Sequence, residues 1–277
     1  MSKDRFGLKS KIALVVGGRG YLGRNFCASL ADSGAYVYSA DLPFESPASR
    51  GAAAIKSDDN IKQVQVDVTD PASVKKLVDG IITEKAQIDI LVYSVSTKCK
   101  DFFKAYTDCS LEGWQEVMKA ELDGMFLCTQ QVGKRMEEAK KGSIILLSSI
   151  YGVVGNDQRI YEGSNLVDVY GKEEADKPKR IYAHASYAAA KGAHISMARY
   201  LAAYWGSHGI RVNCVSPGGV AHKDENEAFV KKYCDRVPMG RKANIDDITG
   251  AVIYLASDAA SYVSGHNLIV DGGWTAW

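Results

Sequence analysis

Seven short apolar runs alternate with longer segments of helical periodicity along the chain. The runs that predict strands are KIALVV, AYVYSA, KQVQVDV, DILVYS, GSIILLSS, IRVNCVS and NLIVDG. Because most of them are almost continuously apolar, and helical segments such as PASVKKLVDGIITEK separate them, the strands are expected to be parallel and buried on both faces. The pattern predicts an α/β fold, a doubly wound (Rossmann-type) seven-stranded parallel sheet with helices on both faces.

One segment, residues 151–184, lacks this clean periodicity. Its stretch KEEADKPKR is typical of a solvated loop, although a long loop inside a compact domain is often functional. No internal repeat and no linker rich in Pro, Gly or Ser divides the chain. We therefore predict a single domain over residues 1–277, with an inserted loop at about 151–184.

Charge and composition narrow the classes of function. The formal net charge of +1 gives no electrostatic reason to expect nucleic acid or an anionic membrane as a partner. No apolar run approaches the ~18 residues that span a bilayer, and the start, MSKDRFGLKSK, does not have the apolar core of a secretory signal. The six cysteines form no C-x-x-C pair, and the five histidines are dispersed. We predict reduced thiols in a cytoplasmic protein and no metal site.

A glycine-rich turn, ALVVGGRGYLGRNF, follows the first predicted strand and opens a helix. Gly17, Gly20 and Gly23 stand at three-residue intervals. A tight strand-to-helix turn needs residues without a Cβ, so that backbone N–H groups and the helix N-terminus can approach a pyrophosphate. The position between a strand and a helix makes this pattern much stronger evidence than a lone glycine motif, and it predicts a dinucleotide site.

Two charged residues bear on which dinucleotide binds. Asp41 ends the second predicted strand, and a carboxylate there accepts hydrogen bonds from the adenosine ribose and repels a 2′-phosphate, which favours NAD. Arg19 has the opposite effect, since a guanidinium in this loop could pair with that phosphate. The alternatives are a turn residue at the strand end for Asp41 and a solvated side chain for Arg19. We predict NAD and leave NADP open.

The stretch ASYAAAK sets Tyr187 and Lys191 four positions apart. On a helix the two side chains share a face. A neighbouring ammonium lowers the pKa of a phenol from its ordinary value of ~10, which suits the phenol for proton transfer. The alternative is a core tyrosine and a surface lysine.

Together these segments resemble the classical branch of the short-chain dehydrogenase/reductase family along essentially the whole chain. The segments that carry the resemblance, besides the glycine-rich turn, are VDV at 66–68, LLSS at 146–149, YAAAK at 187–191, NCVSPGGV at 213–220 and the tail from 237 onward. The resemblance implies that Tyr187 is the general acid/base and that Lys191 lowers its pKa and binds the nicotinamide ribose. It also implies that Ser149 binds the substrate oxygen.

The glycine-rich turn and the resemblance also indicate which residues hold cofactor and substrate. The predicted cofactor-binding residues are Gly17, Arg19, Gly20, Tyr21, Leu22, Gly23, Asp41, Leu42, Asp67, Val68, Ser94, Tyr187, Lys191, Pro217, Gly218 and Val220. The predicted substrate contacts are Ser149, Tyr151, Tyr187, Gly219 and His222.

The chain departs from the family pattern at three places. Residues 93–96, Tyr-Ser-Val-Ser, stand where the family usually has Asn-Asn-Ala-Gly beneath the cofactor. Glu121 replaces the asparagine that ordinarily completes the catalytic group; its carboxylate could bind water, or pair with Lys191 and weaken the effect of that lysine on Tyr187. His222 stands where a threonine is usual.

The segment between Ser149 and Tyr187 is much longer than in ordinary members of the family. This feature is similar to the extended branch, which includes nucleotide-sugar epimerases and dehydratases, but here the closing segment of the classical branch ends the sequence. We infer an enlarged loop that covers a polar, carbohydrate-like substrate. Residues of the loop that offer hydrogen-bonding groups, or merely keep the loop soluble, are Tyr151, Asn156, Asp157, Arg159, Tyr161 and Glu162.

Two helical segments, 111–132 and 188–206, carry apolar residues beyond what one buried face needs. Members of the family commonly pair these helices between subunits, so we predict a homo-oligomer, a tetramer or else a dimer. The favoured function is NAD(P)-dependent interconversion of a secondary alcohol and a ketone. The alternatives are a nucleotide-sugar epimerase or dehydratase with tightly held NAD, and a catalytically silent NAD-binding regulator.

Overall fold

Seven parallel strands form one sheet in the order β3-β2-β1-β4-β5-β6-β7 in the computed structural model, which describes residues 4–43, 59–171 and 180–277. The strands are β1 (Ile12–Val16), β2 (Tyr36–Asp41), β3 (Ile61–Gln65), β4 (Ile90–Tyr93), β5 (Gly142–Leu147), β6 (Ile210–Pro217) and β7 (Asn267–Val270). All seven predicted strands are thus confirmed, as is the doubly wound α/β fold.

Helices cover both faces of the sheet. In the described ranges the α-helices are α1 (Gly23–Asp32), α2 (Pro71–Lys85), α3 (Leu111–Met118), α4 (Gly124–Ala139), α5 (Leu166–Tyr170), α6 (Ala185–Trp205), α7 (Glu227–Cys234) and α8 (Ile245–Ala256). A π-helical turn, Lys119–Asp123, joins α3 to α4. No helix of the described ranges combines the length and the apolarity that a membrane crossing requires.

The first strand shows why the apolar runs form a buried sheet. All five residues of β1 are buried, and because successive side chains of a strand point to opposite faces, they divide between two cores. Leu14 packs with residues of α2, α4 and α6 on one face, and Val15 packs with residues of α1 and α8 on the other. The strand is therefore apolar throughout, because both of its faces are buried in a core.

The strand order reverses between β1 and β4, which are neighbours in the sheet. In doubly wound sheets ligands bind in the crevice at the carboxyl ends of the strands at this switch point. The glycine-rich turn after β1 and the segment after β4 meet at this edge.

The insertion folds onto a third hydrophobic cluster, beyond the carboxyl edge of the sheet. Residues 158–161 form a 3₁₀ turn and α5 follows. Their apolar side chains, among them Ile160 and Leu166, pack with Phe102, Phe229 and Trp274 from other segments. The insertion is therefore a packed layer in its described part; residues 172–179, most of KEEADKPKR, lie outside the described residues.

Candidate active site

The turn after β1 can be made only with glycine at two positions. Gly17 has φ +80°, and a Cβ on it would lie 2.8 Å from the carbonyl oxygen of Ser94. A Cβ on Gly23 would lie 2.0 Å from the carbonyl oxygen of Gly17. Real Cβ atoms do not approach a carbonyl oxygen so closely, so a side chain at either position would push the turn apart. Gly20, in the same turn, donates its N–H to Gly17 O at 3.2 Å.

The N-terminus of α1 is suited to a pyrophosphate. Leu22 is the N-cap residue and no side chain caps the helix, so the positive end of the helix dipole has no side-chain acceptor there. Tyr21 reaches across the crevice and donates its hydroxyl to Ala221 O at 2.6 Å. The turn therefore fits a dinucleotide, which Gly17, Gly20, Leu22 and Gly23 would hold through their backbone.

The ribose end of the crevice carries both charges that bear on the choice of cofactor. The Asp41 carboxylate accepts the N–H groups of Arg19 and Leu42, each at 2.9 Å. Arg19 is only 4% exposed, and its guanidinium donates to Leu42 O. The alternative, a solvated Arg19 side chain, is therefore wrong. A carboxylate and a guanidinium lie together beside the end of β2.

The residues that follow β3 and β4 complete the floor of the crevice. Val68 is buried, and a Cβ on Gly124 would lie 2.8 Å from its Cγ2, so helix and strand end are in close contact. Asp67 is exposed and its carboxylate accepts from Thr69 in a local turn. Ser94 continues the strand pairing through a hydrogen bond to Val16 O at 2.8 Å.

Tyr93 occupies the core rather than the crevice. Its side chain is fully buried, and the hydroxyl donates to Ala120 O at 2.5 Å, in the π-helical turn. The large residue at this position is therefore accommodated on the side of the sheet that faces α4.

The segment after β6 closes the other side of the crevice. Gly218 donates to Val270 O at 2.9 Å, just after Pro217 ends the strand, and Gly219 donates to the hydroxyl of Tyr233. Val220 forms a bridge to Ala243. This segment is thus held firmly by backbone contacts from both flanks.

His222 lies at the mouth of the crevice. Its ring centroid is 5.2 Å from that of Tyr21 and 5.6 Å from that of Tyr170. It therefore stands between the glycine-rich turn and helix α5 of the insertion.

The fold brings the three predicted catalytic side chains to one point at the carboxyl edge of the sheet. Tyr187 and Lys191 lie in the first turns of α6, and the Lys191 Nζ is 5.4 Å from the Tyr187 ring centroid. Ser149 follows β5, and its hydroxyl accepts from Tyr151 N at 3.2 Å. Lys191 and Ser149 are both buried.

Burial raises the pKa of Tyr187 above its ordinary value. Lys191 and a hydrogen bond from Ser149 lower this pKa, and Glu121 raises it. Lys191 thus acts in the predicted direction, but desolvation of the phenolate outweighs the effect of the ammonium, and the net shift of the Tyr187 pKa is upward.

Glu121 is paired with Lys191, the second of the two roles that the sequence left open. The π-helical turn directs this fully buried carboxylate inward, where Oε2 lies 2.8 Å from Lys191 Nζ. Neither oxygen of Glu121 has a hydrogen bond of normal geometry within the described residues. Burial lowers the pKa of Lys191, but Glu121 and Tyr187 raise it and the net shift is upward, so the lysine stays protonated.

His194, one turn beyond Lys191, supports this pair and was not predicted as a site residue. Its Nδ1 lies 2.9 Å from Leu147 O and its Nε2 lies 2.9 Å from Glu121 O. Burial and the nearby Lys191 lower its pKa to about 4, so it is neutral at physiological pH. The ring packs between the π-helical turn and the end of β5, and in its neutral form it donates its single N–H to one of these two carbonyls.

Of the six loop residues proposed to bind hydroxyl groups, the two tyrosines lie beside Tyr187. Tyr161 donates its hydroxyl to that of Tyr151 at 2.9 Å, and burial and other groups, including Tyr187, raise the pKa of both. The charged members are engaged elsewhere: Asp157 pairs with Arg159 at 2.8 Å and Arg236 at 2.5 Å.

Glu162 pairs with Arg180 at 2.9 Å on the surface. The side-chain amide nitrogen of Asn156 is buried and has no partner in the described part of the chain. The ion pairs favour a structural role for the charged residues of the insertion, Asp157, Arg159 and Glu162.

The sequence also did not predict a cluster of side chains beside Tyr187, which consists of Cys99, Asp101, Phe102 and His184. Phe102 stacks on His184, with centroids 5.1 Å apart, and meets the Tyr187 ring edge-on at 6.3 Å. The Cys99 thiol donates to Asp101 at 3.1 Å and lies 3.8 Å from His184 Nε2. The ligand atoms of Cys99, Asp101 and His184 lie within 4.8 Å of one another, a grouping of metal-ligating residue types that their sequence spacing does not reveal.

Two family models match the chain. The model described as short chain dehydrogenase matches residues 11–164, and the model described as enoyl-(acyl carrier protein) reductase matches residues 176–275. The first alone covers more than half of the sequence, including the glycine-rich turn and Ser149.

Individual members of the family match this chain over nearly its whole length. The chain is 33% identical to D-threitol dehydrogenase of Mycolicibacterium smegmatis, over 98% of this chain and 95% of that protein. The structure of a short chain dehydrogenase from Leptospira borgpetersenii with bound NAD+ superposes with a TM-score of 0.83 at 29% identity, covering 99% and 96% of the two chains. A gluconate 5-dehydrogenase from Burkholderia cenocepacia, in complex with NADP and tartrate, superposes with a TM-score of 0.78 at 27% identity, covering 99% and 98%. The chain therefore belongs to the short-chain dehydrogenase/reductase family and is an NAD(P)-dependent oxidoreductase that acts on CH–OH groups.

Proposed function

We propose that this enzyme interconverts a secondary alcohol and a ketone on a hydroxyl-rich, carbohydrate-like chain, with Tyr187, Lys191 and Ser149 as its catalytic residues. The observation that carries the proposal is the convergence of these three side chains beside a glycine turn that has room only for backbone. The relatives named above as threitol and gluconate dehydrogenases support a polyol or sugar-acid substrate.

The protein supplies the proton and the orientation. A bound nicotinamide cofactor supplies or accepts the hydride. Ser149 and Tyr187 hold the substrate oxygen, and Tyr187 gives it a proton during reduction or takes one during oxidation. Because burial raises the pKa of Tyr187, the phenol is protonated at neutral pH and is ready to act as the acid in ketone reduction. Oxidation needs the phenolate and is expected to accelerate as the pH rises.

The end of β2 supports a preference between the two cofactors. Asp41 favours NAD, since its carboxylate repels a 2′-phosphate. Both of its oxygens already accept backbone N–H groups, which fixes the carboxylate in place, and the neighbouring Arg19 guanidinium is bonded to a carbonyl. We therefore propose NAD as the preferred cofactor, with weaker use of NADP.

Association is proposed to use α4 and α6, in a homotetramer or a dimer. Phe126 on α4 and Tyr200 and Tyr204 on α6 are between 51% and 62% exposed, and the two tyrosine rings stack with centroids 6.2 Å apart, which gives a contiguous aromatic surface for a second subunit. We further propose that the chain forms a single functional domain. We propose a cytoplasmic location as well, because all six cysteines are free thiols, as is usual in a reducing compartment. Light scattering at micromolar concentration tests the assembly, and a monomer would contradict it.

A substrate screen tests the activity. Polyols, sugars and sugar acids are incubated with NAD or NADP, and reduction of the cofactor is followed by its absorbance. Net reduction that depends on the substrate supports the proposal. Turnover of a nucleotide-linked sugar without net redox change, by cofactor that survives purification, would support an epimerase instead. Tight NAD binding with no turnover of any compound would support the silent regulator.

A further inference from the structure

Lys98 places an ammonium group in the substrate cleft. It lies in the segment after β4 and is partly buried. Its Nζ is 5.8 Å from the ring centroid of Phe102, which meets Tyr187 edge-on, and 5.5 Å from the ring centroid of Tyr170 in the insertion. Lys98 thus stands between the catalytic tyrosine and the layer that covers it.

The two buried glutamates of this cleft are already matched to other lysines, and the nearby Asp101 accepts hydrogen bonds from the Cys99 thiol and from Ser110 N. Glu121 pairs with Lys191, and Glu225, which accepts a hydrogen bond from Tyr170 at 3.3 Å, pairs with the buried Lys242. Lys98 has no carboxylate at ion-pair distance in the described parts of the chain. Among the described residues these two ion pairs are neutral, and the positive charge of Lys98 has no carboxylate partner.

Burying the Lys98 ammonium without a counter-charge costs free energy, and a bound anion would offset that cost. Burial lowers the pKa of Lys98, and Lys191 lowers it further, while Glu121 raises it. The two aromatic rings contact the cation through their faces but do not neutralise its charge. A bound anion would supply the missing counter-charge. Its charge-assisted hydrogen bonds to Lys98 would be strong, because the cleft is shielded from water.

We propose that Lys98 binds a carboxylate of the substrate, so that the enzyme acts on open-chain sugar acids in preference to neutral polyols. A carboxylate fits better than a phosphate, because a single lysine offers one compact charge, without the arginine fork or additional cations that usually hold a dianion. This inference names the substrate class of the proposed function and rests on it. Ser149 and Tyr187 would hold the reacting oxygen while Lys98 fixes the far end of the chain.

The test compares a sugar acid with the polyol of the same chain length and stereochemistry, in the wild type and in Lys98→Met. The wild type should have at least a tenfold higher kcat/KM for the acid. Lys98→Met should lose about tenfold to a hundredfold on the acid, mainly through KM, and should change less than threefold on the polyol. Lys98→Arg, which keeps the charge, should retain part of the preference. Lys100→Met, at an exposed lysine two residues away, is the matched control and should resemble the wild type.

Equal losses on acid and polyol in Lys98→Met, or a wild type that prefers the polyol, would overturn the proposal. A binding measurement separates this outcome from failure of the proposed function. Tartrate, malonate and inorganic phosphate are titrated into the NAD-loaded protein by calorimetry. Binding of the carboxylates that is lost in Lys98→Met supports the proposal even if no substrate is turned over. Carboxylate binding that does not change in Lys98→Met, or a lysine-dependent preference for phosphate, contradicts it.

Discussion

The two ends of the crevice are built in different ways. The nucleotide end, around the turn after β1 and the end of β2, comes from residues 14–43, which are close in sequence. The substrate end combines Lys98, Glu121, Ser149, Tyr187 and His222, which five separate segments supply. The nucleotide end depends on local backbone geometry, whereas the substrate end depends on how distant segments pack. Variants at the two ends should therefore fail in different ways.

The largest effect is expected at the substrate end, from Tyr187→Phe. Removing the phenol hydroxyl removes the proton donor and acceptor, so kcat should fall by about a thousandfold. Cofactor affinity, which the other end of the crevice determines, should change little. Steady-state assays and a titration of cofactor fluorescence measure the two quantities. Tyr161→Phe removes a neighbouring hydroxyl and is the control; full activity of Tyr187→Phe would refute the assigned role.

At the nucleotide end, Gly23→Ala should act on binding rather than on chemistry. The new Cβ would meet Gly17 O, so the turn must open, and we expect the affinity for NAD to fall by about a hundredfold (the steric cost of displacing backbone). Gly80→Ala in α2 adds the same methyl group where nothing lies within 4 Å, and it should leave NAD affinity unchanged and stabilise the fold by about 0.5–1 kcal/mol. Calorimetric titration with NAD measures the affinity. Normal NAD binding by Gly23→Ala would contradict the structure of the turn.

Glu121→Gln sharpens the comparison, because it changes charge at the substrate end without changing shape. Glu121 raises the pKa of both Tyr187 and Lys191, so both pKa values should fall in the variant. The rise of kcat/KM for alcohol oxidation with pH should then occur at lower pH than in the wild type. The buried Lys191 also loses its counter-charge, so the free energy of unfolding should drop by about 3 kcal/mol.

A pH series of initial rates and urea unfolding measure these two changes. Glu137→Gln, which removes a half-exposed carboxylate beside His208, is the control and should alter neither. An unchanged pH profile in Glu121→Gln would show that the carboxylate does not act on Tyr187.

The smallest effect is expected from Asn165→Ala in the insertion. Asn165 donates to Asp224 O at 2.7 Å and accepts from Asn226 N at 2.9 Å, and these bonds attach the start of α5 to the segment before α7. Losing them should loosen the cover over the substrate and raise KM about threefold to tenfold, with cofactor affinity unchanged. Substrate kinetics measure the change. An equal loss in NAD affinity would mean that the insertion supports both ends of the crevice.

The predicted site residues differ in how far the structure supports them. Ser149, Tyr187 and Lys191 converge as the motif implied, although their roles remain predictions until the variants above are measured. Lys98 and His194 were missed, because a lysine in an irregular segment and a histidine on an apolar helix have no sequence signature of their own. Their positions depend on which neighbours the fold brings near them.

The sequence alone determined the sheet, the glycine turn and the pairing of Tyr187 with Lys191, because each follows from periodicity or from spacing within one turn. Only the tertiary structure decided the partner of Lys191, the direction in which the pKa of Tyr187 shifts, and the unmatched charge of Lys98. The physical reason is that desolvation and charge pairing depend on atoms brought together from distant parts of the chain, and no local pattern records those distances.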